Sequence, residues 1–167
     1  PTSPQISLHC FCSNACRRKW EICSFDVSTA FLTGMPLDRE VCARAPKEGL
    51  PATAEWPSIL PYALLQVLKG AYGLTDAPRL WYLRARGLLI KIGWCELKCC
   101  RAVFVLHEVK NRIKNLVGVL TLHVDDGLLF GNEKSPLFQR AFQGINENFN
   151  IKKWSTLNEE KEDYLGM

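Results

Sequence analysis

Two adjacent carboxylates, Asp125 and Asp126, interrupt the apolar run LTLHVDDGLLF at residues 120 to 130. A strand from Val119 to Val124 alternates its side chains, which puts Val119, Thr121, His123 and Asp125 on one side. With DDG as a tight turn before LLF, both acids stand at a hairpin tip. Asp126-Gly127 is also a good turn pair, and on these residues alone turn chemistry is the simpler account. A third acid, Asp26, closes the strand WEICSFD. If that strand lies beside the hairpin, two or three carboxylates converge with few basic neighbours in sequence, and such a cluster repels itself unless cations hold it. Magnesium suits these donors, because it takes oxygen ligands and keeps waters and substrate phosphates in its remaining positions. Two such ions about 4 Å apart clamp the attacking and leaving oxygens of an in-line phosphoryl displacement. The chemistry implied is nucleotidyl transfer or phosphodiester cleavage.

Two other groups could bind a metal. His9, Cys10, Cys12 and Cys16 form one, and Cys95, Cys99 and Cys100 the other. No pair of cysteines has two-residue spacing, and the first group falls on a helical pattern, so buried free thiols are expected rather than zinc. The eight cysteines follow no disulfide framework and no amino-terminal signal pattern is read, which favours a reducing, intracellular setting.

The elements that must position these groups follow from periodicity. Leu8, Phe11, Cys12 and Ala15 recur at helical spacing within residues 6 to 19, and a basic turn ends that helix. Asp26 then ends a strand, and VSTAFLTG bends into a helical turn that stops at Gly34. Residues 46 to 61 hold four prolines and read as a long surface connection, followed by the strand-like LLQVLK. From Pro78 to Ile92 a helix presents Leu80, Leu83, Gly87 and Ile90 as one stripe, with Trp81 and Leu88 beside it and Arg79 and Arg86 off it. CRAVFVLHEV and NLVGVLTLHV pair around KNRIK, GLLFGN makes a third strand, Ser135 caps a helix begun by Pro136, and NFNIKKW is a last full strand. Hairpin-length connections make the sheet at least partly antiparallel, an α+β arrangement of helices on one sheet.

The chain has 167 residues, 47% hydrophobic and 23% charged, enough for a buried core. The uncharged run from Trp56 to Leu68 is too short for a bilayer crossing and contains Pro57 and Pro61, so no membrane partner is expected. The net charge of +4 is uneven: residues 62 to 101 hold seven Lys/Arg against two Asp/Glu, which suits either a solvated helix face or a phosphate backbone.

Three ordered segments resemble a known family. FDVSTAFLTG at 25 to 34 resembles the first catalytic motif of copia-type retrotransposon reverse transcriptases. LKGAYGLTDAPRLWY at 68 to 82 resembles their template-contacting motif, and LHVDDGLLFGN at 122 to 132 their paired-aspartate motif. REVCARAP, Gly93-Trp94, AVFV at 102 to 105 and the final YLGM fall where that family has similar segments. The resemblance implies the palm of an RNA-directed DNA polymerase, a mostly antiparallel sheet backed by helices. The chain would be a single partial domain over 1 to 167, with a palm core at about 20 to 154 and fingers and thumb lying outside it.

Carried over, the resemblance makes Asp26 and Asp125 the principal magnesium ligands, with Asp126 completing the triad and manganese as a substitute. Phe31 becomes the aromatic gate under the sugar of an incoming deoxynucleoside triphosphate, with Val27, Ser28, Thr29, Ala30 and Tyr72 around it. Gly73, Pro78, Arg79 and His123 would line the primer and its RNA or DNA template, with Arg84 and Arg86 as further phosphate candidates. Phe31 equally fits a core aromatic, and each arginine equally fits a solvated helix position. The family usually has tyrosine where this chain has His123, a smaller side chain that can still stack and hydrogen-bond near a primer end. That departure, with the absent fingers, suits a second reading: a non-catalytic remnant that retains nucleic-acid binding. A two-metal nuclease is a third reading, disfavoured by the motif at 69 to 82. The expected location is the cytoplasm or a virus-like particle, with a nuclear stage.

Overall fold

A computed structural model describes residues 5–156. The expected YLGM segment lies outside the described residues. Helix α1 (Gln5–Arg18) leads into β1 (Glu21–Val27) and a 3-10 turn at Ala30–Thr33. Two short strands follow, β2 (Cys42–Arg44) and β3 (Leu64–Gln66), then α2 (Ala77–Ile92) and β4 (Cys95–Glu96). The chain continues through β5 (Val103–Lys110), β6 (Ile113–His123), β7 (Asp126–Gly131), α3 (Pro136–Asn148) and β8 (Ile151–Thr156). Six strands form one sheet in the order β4-β5-β6-β7-β1-β8, every pair antiparallel, while β2 and β3 pair separately.

Local chemistry accounts for the element ends. The Ser135 side chain accepts a hydrogen bond from the Phe138 amide, and Pro136 fits the first helical turn, where its missing N–H costs nothing. Helix α2 stops at Gly93, whose φ of 108° is the left-handed conformation that glycine adopts most cheaply. At the β5–β6 turn Asn111 and Arg112 both have positive φ, the pattern of a two-residue hairpin that follows strand twist.

The expected α+β arrangement of helices on one sheet is what forms, and the helices cover both of its faces. Phe25, Phe104, Leu120, Leu122 and Leu129 pack with Trp81, Ala85 and Leu89 of α2 and with Phe138, Ala141 and Ile145 of α3. Their strand neighbours Val103, Val105, Val119, Leu128 and Phe130 point the other way and meet Leu8 and Ala15 of α1. The buried stripe of α2 is also rotated from the expected one. Ala77, Trp81, Ala85 and Leu89 recur every fourth residue and face the core, whereas Leu83 and Ile90 are exposed. The small alanines at 77 and 85 let α2 lie close to the sheet with Trp81 and Leu89 packed against it, and that contact outweighs the apolar area of Leu83 and Ile90. Strands β2 and β4 were not anticipated; three and two residues are too few to show a period.

Candidate active site at the ends of β1, β6 and β7

The acids gather because β1 is inserted between β7 and β8. In register, Asp126 of β7 stands opposite both Asp26 of β1 and His123 of β6, and Asp26 stands opposite Lys153 of β8. Directly opposed residues share a face, so His123, Asp126, Asp26 and Lys153 make one row across four strands. The row lies on the α1 side of the sheet, beyond Thr121, Leu128 and Ser24 in the preceding row.

The hairpin tip differs from the expected DDG turn. Pairing recruits Asp126 and Gly127 into β7, so the two-residue turn is Val124-Asp125. It is therefore Asp126, and not Asp125, that shares a face with His123. Val124 has a φ of 59°, an outlier for a β-branched residue. Two hydrogen bonds hold it there: the Trp81 indole Nε1–H donates to the Val124 carbonyl at 2.7 Å, and the Val27 amide donates to the Asp125 carbonyl at 3.0 Å. Gly127 also has a packing role. A Cβ at that position would come within 2.1 Å of the Phe25 ring, the residue that precedes Asp26.

The electrostatics follow from this crowding. The half-buried Asp126 carboxyl is pushed above its usual range, first by burial and then by the charges of Asp125 and Asp26, while His123 pulls it down. Among the described residues, no three His, Cys, Asp or Glu side chains come close enough to hold a metal ion. The donors are nonetheless the kind that a hard cation takes, oxygen-only and mutually repelling, and Mg²⁺ commonly uses one or two carboxylates with substrate phosphates completing its shell. Behind His123, its Nδ1 and the Thr121 hydroxyl are both buried without a hydrogen-bond partner among the described residues.

The segments around this row are partly committed to the fold. The Ser28 amide donates to the Asn150 carbonyl and the Val27 amide to the Asp125 carbonyl, so two amides of the segment placed around the incoming nucleotide are engaged internally. Thr29 is exposed in the left-handed region at φ 52° and Ala30 is buried. The Phe31 ring meets the Tyr72 ring edge-on at 5.0 Å, which joins the first and second motifs. Phe31 packs against the core as well, whereas Tyr72 is 67% exposed. Gly73 has a φ of 90° with nothing within 4 Å of where a Cβ would stand, and Pro78 and Arg79 are exposed at the start of α2. Arg39 bonds Asp76 at 2.6 Å and holds that carboxyl below its usual range, tying the approach to β2 to the same helix end.

Three other candidates are placed elsewhere. Arg86 pairs with Glu96 at 2.6 Å and is spent on the fold, as is Tyr82, whose hydroxyl donates to the same carboxylate. Arg84 lines a crevice of about 110 Å³ with Val27, Trp81 and Asn148, on the α2 side of the sheet, the face opposite the acidic row. None of the eight cysteines forms a disulfide, but Cys10, Cys16, Cys42, Cys95 and Cys99 are exposed rather than buried; α1 meets the sheet through Leu8 and Ala15 and turns Cys10 and Cys16 outward. Sequence reasoning missed Lys153 as a neighbour of Asp26 and Trp81 as the clamp on the turn. The first is set by register alone, and the second had as its only signal an indole beside a helix stripe.

No family model matches the chain, and no solved structure matches it. Three curated proteins do. The retrovirus-related Pol polyprotein from transposon RE1 of Arabidopsis thaliana is 28% identical over 167 residues, and that from transposon RE2 of the same plant is 28% identical over 157. The retrovirus-related Pol polyprotein from transposon TNT 1-94 of Nicotiana tabacum is 26% identical over 152 residues. These matches cover 100%, 94% and 91% of this chain, which spans about a tenth of the length of each relative. The resemblance read in the motifs therefore holds at the level of a copia-type Pol segment across nearly the whole chain.

Proposed function

From a chain similar over nearly its whole length to copia-type Pol polyproteins, we propose that this segment is the palm of an RNA-directed DNA polymerase. The observation that carries the reading is the register of β1 against β7, which sets Asp26 opposite Asp126 with Asp125 in the adjoining turn. Asp26, Asp125 and Asp126 would hold Mg²⁺ or Mn²⁺. A cation held by these carboxylates would supply Lewis acidity to a primer 3′-hydroxyl and a counter-charge to a nucleoside triphosphate. The residues of the chain do the rest. Asp26 and Asp126 fix the donor oxygens across two strands, and the Val124-Asp125 turn is held by Trp81 and Val27. Phe31, braced by the core and by Tyr72, would close the space beneath the sugar where a ribose 2′-oxygen would clash. Gly73, with open space at its Cα, and Pro78 and Arg79 at the start of α2 would offer a template an open backbone and a cation. His123 stands beside Asp126, where it would meet the primer end.

A second reading, a non-catalytic remnant that binds nucleic acid, is favoured by one observation: no three metal-type donors are drawn together among the described residues. Primer extension on an RNA template with Mg²⁺ or Mn²⁺, paired with a Mn²⁺ titration by electron paramagnetic resonance, separates the two. Extension that disappears in Asp125→Asn supports the polymerase. A folded chain that extends nothing, and that binds Mn²⁺ no better than Asp26→Asn does, refutes it in favour of the remnant.

A further inference from the structure

The end of the sheet opposite the acids carries a cationic surface that the proposed chemistry does not use. Strand β7 pairs with β6 only from Gly118 to His123, so the β5–β6 hairpin beyond Leu116 continues as a two-stranded arm. Its tip, Lys110 to Asn115, is exposed on every residue. A bulge between Leu106 and His107 resets the alternation, and Leu116 packs with the α1-side cluster. Lys114, two residues before it, thus shares the face that carries the acidic row.

Helix α1 ends against the base of this arm. It contains no acidic residue and finishes in Arg17 and Arg18, followed by Lys19. The Arg18 guanidinium is held entirely by neutral groups: it donates to the Asn14 side chain at 2.8 Å and the Leu116 carbonyl at 3.5 Å, and lies over the Trp20 ring at 5.0 Å. A guanidinium fixed in this way keeps its full charge for an anion. Arg17, Lys19, Arg112 and Lys114 are exposed, and among the described residues none of these five cations is in an ion pair. A groove of about 830 Å³ opens beside them, lined by Arg18, Lys19 and Lys134 and also by Glu21 and Glu133.

We propose that the carboxyl end of α1 and the β5–β6 arm beside it form a phosphate-backbone clamp for duplex nucleic acid. Leu116 and Lys114 lie seven and nine residue steps from His123 along β6, roughly 24 to 31 Å at the strand rise. That reach equals about seven to nine phosphates of one strand at 3.4 Å each, so one duplex can touch the clamp while its end lies at the acidic row. The clamp deepens the polymerase reading and rests on it for the identity of the polymer. The chemistry that selects the partner is a linear array of phosphates meeting five unpaired cations, two of them on an arm with little else to pack against.

The test is fluorescence anisotropy of a labelled 20-base-pair DNA duplex with the 167-residue chain across a salt series. Three variants are compared: Arg17→Gln/Lys114→Gln, which alters only exposed side chains; the same pair with Arg18→Gln; and Arg44→Gln/Lys47→Gln, on and just after the separately paired β2, as the control. Each lost phosphate contact flattens the log–log salt slope by about 0.9, so the double variant should flatten it by about 1.8 and the triple by about 2.7. The control should match the parent chain. An unchanged slope in the double variant overturns the clamp, and so does displacement of the duplex by polyglutamate at equal charge concentration, which would mark the surface as a general anion binder. Asp125→Asn is carried through both this assay and primer extension. Clamp-dependent binding without extension in any chain leaves the clamp standing and removes the polymerase.

Discussion

Replacing Trp81 with phenylalanine isolates the contact that holds the acidic turn. Trp81 is 2% exposed, and its indole N–H is the donor to the carbonyl of Val124, the residue at φ 59°. That conformation costs roughly 1–2 kcal/mol in a residue with a Cβ, so it persists only while its surroundings hold it. Phenylalanine removes the donor. The carbonyl left behind loses about 1–2 kcal/mol, the lower part of the usual range because Val124 is half-buried and water can reach it. The smaller ring adds a packing loss of about 1–2 kcal/mol. The sum, about 2–4 kcal/mol, is a large fraction of the stability of an ordinary domain. Trp94 supplies the control. It is 1% exposed, and its own Nε1 is buried with no acceptor among the described residues. Trp94→Phe therefore suffers the same packing loss but removes an unsatisfied donor, and the two effects nearly cancel. Urea unfolding followed by circular dichroism measures both, with unchanged m-values as the check that the same surface is exposed. If Trp94→Phe destabilises as much as Trp81→Phe, the indole–carbonyl bond does not hold the turn and the argument fails.

Other outcomes follow from the same geometry. Because the folded carboxyl of Asp126 titrates above its unfolded counterpart, its ionisation weakens the fold as pH rises from below the unfolded value through the raised one. Asp126→Asn should remove that loss in melting curves between pH 3 and 7, and should abolish any stabilisation of the parent chain by Mg²⁺. Gly127→Ala should cost about 1–3 kcal/mol in the same unfolding assay, since its methyl must displace the Phe25 ring; a neutral result would mean the ring is loosely held. The Tyr82 hydroxyl, pushed up to about 12 by burial and by its bond to Glu96, should ionise closer to 10 in Glu96→Gln when followed by ultraviolet absorbance.

Features that depend on a local period or a local cap could be read in the sequence. The α3 cap at Ser135, the β5–β6 hairpin and the strand ending near Asp26 belong to this class, and each is stated within a few adjacent residues. The α2 stripe misled because two apolar patterns overlap on that helix, and only the sheet decides between leucine-rich and alanine-spaced faces. The DDG turn misled for a related reason. Asp126-Gly127 is good turn chemistry, but Phe25 and His123 draw both residues into β7 and shift the turn to Val124-Asp125. The nature of the acidic site was therefore legible as chemistry, whereas the identity of the facing pair, Asp26 with Asp126, depends on the register of strands a hundred residues apart.

That separation governs when the site can exist. Strand β1 ends at Val27, yet both of its partners, β7 and β8, are made from residue 126 onward. At about 5–20 residues per second, a ribosome needs on the order of 5–20 s between releasing Asp26 and releasing Asp126. Throughout that interval β1 has two empty hydrogen-bonding edges, and Asp26 has neither its facing carboxylate nor Lys153. Nascent chains that stop short of β7 therefore carry the first motif without any acidic pair, and the centre of the sheet closes only as the last described strand emerges.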